Sequence, residues 1–182
     1  MIFSRKCDII FAKMNSVYLK LYEKNRAFLT SRPKIKKCVY LADKLCTVAV
    51  VGAYAFLCAY ALFIARFSSL ADYLRLFGLP AICLALTSIL RRAINAQRPY
   101  ECGIEPLFTK TRRRQSFPSR HLSCAAVIAG VSFYYLLPCG IVSAVCAAVL
   151  FYTRFACGWH FPRDLFCGLL LGAACALPAF LI

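Results

Sequence analysis

The sequence predicts an all-α fold: a polytopic membrane helical bundle of about five transmembrane helices, preceded by an N-terminal amphipathic surface helix. Three observations carry this. Of 182 residues, 62% are hydrophobic and the mean hydropathy is +0.67, whereas a soluble domain is nearer half apolar. Four stretches contain no charged residue: Leu45–Ala65, Leu76–Leu90, Leu122–Thr153 and Leu165–Ile182. The remaining charge is strongly basic, 23 Lys and Arg against 7 Asp and Glu, for a net +16. It gathers in the N-terminal segment and beside the apolar stretches.

The elements follow in order. Residues 1–37 form a basic amphipathic segment, and residues 38–182 a membrane domain. At 100° per residue, Lys6, Lys13, Lys20 and Lys24 fall within about 40° of one another. Ile10, Met14, Val17, Tyr18, Leu21, Tyr22 and Phe28 fill the adjoining sector. Two arrangements fit: a helix lying in the membrane surface, lysines toward headgroups, or an amphipathic helix packed on the rest of the chain. No cleavable signal peptide is expected, because no continuous apolar core precedes a small-residue site.

A bilayer core about 30 Å thick takes roughly 20 helical residues to cross. Leu45–Ala65 meets that length and Leu165–Ile182 nearly does. Leu76–Leu90 is short but extends upstream to Leu70 if Arg75 snorkels to the interface. Leu122–Thr153 is too long for one crossing, and Pro138-Cys139-Gly140 divides it into a tight hairpin. Of the 12 cysteines, seven (Cys46, Cys58, Cys83, Cys124, Cys146, Cys167 and Cys175) fall inside spans, and no C-x-x-C pair occurs. They read as small packing residues rather than bridges or zinc ligands.

Charge of this sign in a soluble protein would suggest nucleic acid. Placed beside membrane spans, it points to anionic lipid headgroups or phosphate instead. An even number of crossings separates the polar residues at 91–121 from those at 154–164, so both emerge on one face. The only two histidines, His121 and His160, lie there at the starts of two helices. Arg91, Arg98, Arg120 and Arg154 surround them, with Ser119 and Asp164. Guanidinium groups match phosphoryl oxygens by paired hydrogen bonds and stay charged at any working pH. Ser119 takes a helix N-cap position, which puts His121 in a first turn favourable to anions. Pro162 suits a first helical position. Asp164, four residues after His160, is placed to accept from one ring nitrogen and leave the other free to attack.

Arg91-x6-Arg98-Pro99, Pro118-Ser119-Arg120-His121 and Arg154-x5-His160-x3-Asp164 together resemble the three-part signature of the type 2 phosphatidic acid phosphatase superfamily. Its usual form is K-x6-R-P, P-S-G-H and S-R-x5-H-x3-D. The resemblance implies a membrane lipid phosphatase that works through a phosphohistidine intermediate, with no metal or other cofactor. His160 would be the nucleophile, Asp164 its orienting partner and His121 the general acid. Arg91, Arg98, Ser119, Arg120 and Arg154 would bind the phosphoryl oxygens. Three positions depart from the pattern: Arg91 replaces lysine, Thr153 replaces serine, and Arg120 replaces glycine. Arg120 either crowds the close approach of backbone to phosphate or supplies a further cation, suited to a diphosphate.

The implied substrates are phosphatidylglycerol phosphate, phosphatidic acid or undecaprenyl diphosphate. Small size and minimal loops suit a bacterial plasma membrane. A non-catalytic anionic-lipid-binding or lipid-transporting protein is the alternative from another class. The face of the membrane stays open. Outside the motifs, residues 1–37 hold ten Lys and Arg and the site face six, against Arg66 and Arg75 opposite. That count places the site in the cytoplasm, while relatives in the family usually place it outside. Trp159 reads as an interfacial anchor or a wall of the pocket, Tyr100 and Glu101 as residues that pack and cap the loop or else gate the substrate, and Arg112-Arg113-Arg114 as a solvated basic turn or a contact for the substrate headgroup.

Overall fold

The computed structural model describes residues 17–65 and 69–181. Among these there is no strand. Helix α1 covers 17–30. Helix α2 runs Pro33–Ala59 and continues through a π-helical turn, Tyr60–Ile64. Helix α3 runs from Leu70–Tyr73 through a π-helical turn, Leu74–Gly78, into Leu79–Ile94. After a polar loop holding the short helix Pro99–Cys102 come α4 (Arg120–Tyr135), α5 (Leu137–Ala156) and α6 (Pro162–Ala176).

Helices α2 to α6 form the bundle. Counting the loop-side extension of α3 to Cys102 and the terminal extension of α6 to Leu181, four of them are long and apolar enough to cross a membrane: α2, α3, α5 and α6. Helix α4, with 16 residues, is shorter and sits at the centre, packed on α5 and α6 and also touching α3 and α2. Large side chains such as Val48, Phe56, Phe63 and Leu170 are exposed on the outside. That surface matches hydrocarbon rather than water. The expected hairpin is present, with Leu136 extended between α4 and α5 and Pro138 in the first turn of α5. Arg75 pairs with Asp72 at 3.1 Å, and Tyr135 donates to the same carboxylate at 2.9 Å. The charge near the start of α3 is thus matched within the protein.

The first bundle helix starts twelve residues before the charge-free run, at Pro33 rather than Leu45. The expected division at 37/38 therefore falls inside one continuous helix. Helix α1 packs by one stripe and leaves another outward. Tyr18 and Tyr22 are buried with Phe161, Leu29 with Trp159 and Leu107, and Tyr22 donates to the Glu105 carbonyl at 2.8 Å. Val17, Leu21 and Phe28 remain exposed, as do Lys20 and Lys24. The expected contributions of Lys6, Ile10, Lys13 and Met14 lie outside the described residues.

Two glycines one turn apart let α4 and α6 touch. A Cβ on Gly168 would stand 2.6 Å from the Ser119 carbonyl oxygen, and one on Gly172 would stand 2.3 Å from that of Ser123. Small residues at this spacing allow membrane helices to approach closely. Here the approach sets the head of α4 beside the head of α6, where Ser119 N donates to the Asp164 carbonyl at 2.8 Å. Replacement of Gly172 by Ala is expected to cost about 1–3 kcal/mol by overpacking, seen as a lower unfolding midpoint in detergent. Gly52→Ala, where a Cβ would meet nothing within 4 Å, is the control and is expected to leave the midpoint unchanged or raise it.

Candidate functional site

The two corners of the bundle deliver the site. Helix α5 ends in a left-handed turn at Gly158 (φ +67), and a Cβ there would lie 2.6 Å from the Tyr22 hydroxyl oxygen. Glycine is required on both counts. The turn presents Trp159 and His160 just before α6 starts at Pro162, whose fixed φ suits that place. Asp164, fully buried, caps this start by accepting from Phe161 N at 3.2 Å.

His160 Nδ1 lies 3.7 Å from Asp164 Oδ2, too far for the direct hydrogen bond expected from the sequence. Ser116 fills the gap. Its hydroxyl donates to Asp164 Oδ2 at 2.5 Å, and its oxygen lies 3.3 Å from His160 Nδ1. With the hydroxyl proton committed to the carboxylate, Nδ1 carries the ring proton and Nε2 holds the lone pair. Burial brings the His160 imidazole down to about 4, opposed by the Asp164 carboxylate. The ring is therefore neutral at neutral pH.

His121 stands in the first turn of α4, where Arg154 Nη1 donates to its Nδ1 at 3.0 Å. Guanidinium is only a donor, so the ring proton sits on Nε2. The two imidazoles lie within electrostatic reach of each other. Arg154 is held in turn by Asp43 of α2. Nη2 donates to Oδ2 at 3.2 Å, and Nε stands 3.2 Å from Oδ1.

The other cations complete the wall. Arg98 donates to the Arg114 carbonyl at 3.0 Å and to the Trp159 carbonyl at 3.4 Å. Arg91 donates to the Pro118 carbonyl at 2.8 Å, just before Ser119. Ser119 occupies the N-cap position but makes no capping bond. Its hydroxyl is fully buried without a hydrogen-bond partner, an orphan that a bound oxyanion would satisfy. Arg120 is half-buried and departs from this group. It lines an apolar groove of ≈ 230 Å³ that begins beside His121 and runs between Val50 and Val51 of α2, Leu84 of α3, and Ala125 and Ile128 of α4.

Three side chains were not anticipated. Asp43 completes a buried stripe with Val39, Val50 and Leu57 on α2. A carboxylate at helical spacing among apolar residues is the signal that would have found it. Lys110 lies 3.5 Å from the Trp159 ring centroid; burial and the neighbouring Arg154 bring its ammonium down to about 8. Ser116 left no signal, since only the fold brings it to Asp164. Trp159 is buried and donates to the Phe108 carbonyl at 3.1 Å, so it walls the site rather than anchoring the chain at the interface. Glu101 caps the loop as expected, accepting from Arg98 N at 2.9 Å and Arg114 N at 2.8 Å. Arg112, Arg113 and Arg114 are exposed, and the eleven described cysteines are free.

A model of the PAP2 superfamily matches residues 72–182. The fold is similar to the crystal structure of Aquifex aeolicus LpxE, with TM-score 0.66 and 24% identity over 88% of this chain and 94% of that one. It is also similar to the first transmembrane PAP2 type phosphatidylglycerolphosphate phosphatase from Bacillus subtilis, with TM-score 0.59 and 19% identity over 93% of each. At these identities the likeness concerns the fold. No curated protein sequence matches the chain.

The electrostatics give one direct test. With 15N-histidine and the protein in detergent, His160 is expected to stay neutral down to about pH 4 and to carry its proton on Nδ1 above that. Half-protonation near the ordinary value of about 6.5 would contradict the buried, Ser116-linked arrangement.

Proposed function

The chain belongs to the PAP2 superfamily, and from that premise we propose that it hydrolyses a lipid phosphate or diphosphate through a phosphohistidine intermediate, without metal. What supports this reading is a pair of differently wired imidazoles within electrostatic reach of each other. His160 has a free Nε2 lone pair, His121 has a proton on Nε2, and guanidinium groups and the orphan Ser119 hydroxyl surround them.

His160 Nε2 attacks phosphorus. The bond from phosphorus to the leaving oxygen breaks, and its electron pair stays on that oxygen, which takes the proton from His121 Nε2, while the negative charge left on that ring is met by the Arg154 guanidinium at Nδ1. Water then attacks the phosphohistidine and gives its proton to His121. The P–N bond breaks, its electrons return to His160, and inorganic phosphate leaves. Arg91, Arg98 and Arg154, with Ser119 and the free amides at the head of α4, hold the equatorial oxygens as charge redistributes. The lipid side of the substrate follows from the groove. It is lined by the proposed general acid, His121, and mainly by apolar side chains, as a leaving group with hydrocarbon chains requires.

Phosphatidic acid, phosphatidylglycerol phosphate and undecaprenyl diphosphate all present such a group, and Arg120 at the head of the groove favours the diphosphate. Phosphate release from a panel of these lipids is expected to persist in EDTA, to be inhibited by vanadate and to vanish in His160→Ala. Activity that appears only with added magnesium would overturn the mechanism. The charge count favours a site on the cytoplasmic face of a bacterial plasma membrane. Cys38 and Cys102 are exposed thiols on the site side of the bundle. A membrane-impermeant maleimide is expected to label them only after cells are opened; labelling of intact cells would reverse the orientation.

A further inference from the structure

Helix α2 lies outside the residues matched by the family model, 72–182, yet it contributes a carboxylate to the site. Asp43 is 2% exposed and Arg154 is 3% exposed. Asp43 is anchored a second time, because Thr153 Oγ1 donates to its Oδ1 at 3.1 Å. From this geometry we propose that Asp43 is a positioning residue for the reaction, acting through Arg154 on both the phosphoryl group and His121. The inference rests on the function proposed above.

The donors of Arg154 show how it acts. A guanidinium has five N–H groups in a rigid fork. Asp43 faces the Nε and Nη2 edge, and His121 takes one N–H of Nη1. One N–H on each terminal nitrogen remains, and these are left to donate to oxygens of a phosphoryl group. Without Asp43 the long side chain is free to rotate, and its unmatched charge would settle against the substrate wherever attraction is greatest. Ground-state binding survives such a change, while geometry at the transition state does not. The bond from Nη1 to His121 Nδ1 also keeps the His121 proton on Nε2, so misplacing Arg154 disturbs proton transfer to the leaving oxygen as well.

The test compares Asp43→Asn, Asp43→Glu and Thr153→Val with wild-type protein in detergent, using phosphatidic acid and the other panel lipids. Asp43→Asn is expected to lower kcat about 10- to 100-fold with KM changed by less than about threefold. Asp43→Glu is expected to regain part of the loss, because it restores the charge. Thr153→Val keeps the carboxylate but frees it; kcat is expected to fall several-fold, which supports the proposal even where Asp43→Asn fails to fold. A role in structure alone predicts reduced yield and unfolding midpoint with normal kcat per folded molecule. That outcome, or a change confined to KM, overturns the proposal. Wild-type protein that releases no phosphate from any lipid overturns this inference and the functional reading together. Turnover undiminished in Asp43→Asn and Thr153→Val overturns this inference alone.

Discussion

A charge carried to the edge of a bilayer must find its counter-charge inside the protein, and the pairing of Arg154 with Asp43 is where this structure meets that demand. Removing one partner of a buried pair leaves an uncompensated ion, typically at a cost of about 3–5 kcal/mol. The pair therefore fixes α2 against α5 at one depth and one rotation. Thr153, next to Arg154 in the chain, adds a hydrogen bond to the same carboxylate. The contact also determines which edge of the guanidinium faces the pocket.

A second constraint acts between α4 and α6. The close crossing of α4 and α6 at Gly168 and Gly172 is permitted by missing side chains, and it places the Ser119 amide on the Asp164 carbonyl. One helix start brings Ser119 and His121, the other brings Asp164, and the Gly158 turn brings His160. Helix α1 covers that turn through Tyr22. The ends of α4, α5 and α6 are thus located by glycines, a tyrosine and backbone groups rather than by reactive side chains. This is how precision is held in a site built mostly from helix termini and loops.

Much of this was legible in the chain. Charge-free runs marked the helices, Pro138 and Pro162 marked two of their starts, and the spacing of Arg91, Arg98, His121, Arg154, His160 and Asp164 marked the candidate site residues. What stayed hidden has a common cause: hydropathy counts every charge as an interruption. Asp43 and Lys44 bound the apolar run at Leu45, so hydropathy alone does not single out the carboxylate as part of the helix. In the fold Asp43 is matched by Arg154, and the helix passes straight through. Ser116 was hidden for a different reason. Its partners lie 44 and 48 residues away, and nothing local distinguishes a serine that bridges a histidine and an aspartate from one that faces water. The same bridge explains why the four-residue spacing from His160 to Asp164 suggested a direct bond that the geometry replaces with a relayed one.

The balance of charge in the pocket is the last consequence of these pairings. Both buried carboxylates are already engaged, Asp43 by Arg154 and Thr153, and Asp164 by Ser116, the Phe161 amide and Arg163. Arg91 and Arg98 are held by backbone carbonyls, which orient them without neutralising them, and Lys110 is set against the face of Trp159 rather than against an anion. Positive charge therefore exceeds negative charge in a region largely shielded from water, where screening is weak and the excess is costly. An anion bearing more than one charge relieves it; a neutral ligand or a zwitterion with its cation buried would not. The same excess bears on the imidazoles. With no anion bound, burial and, after it, the nearby guanidinium groups oppose protonation of either ring. A multiply charged anion in the pocket would offset that field.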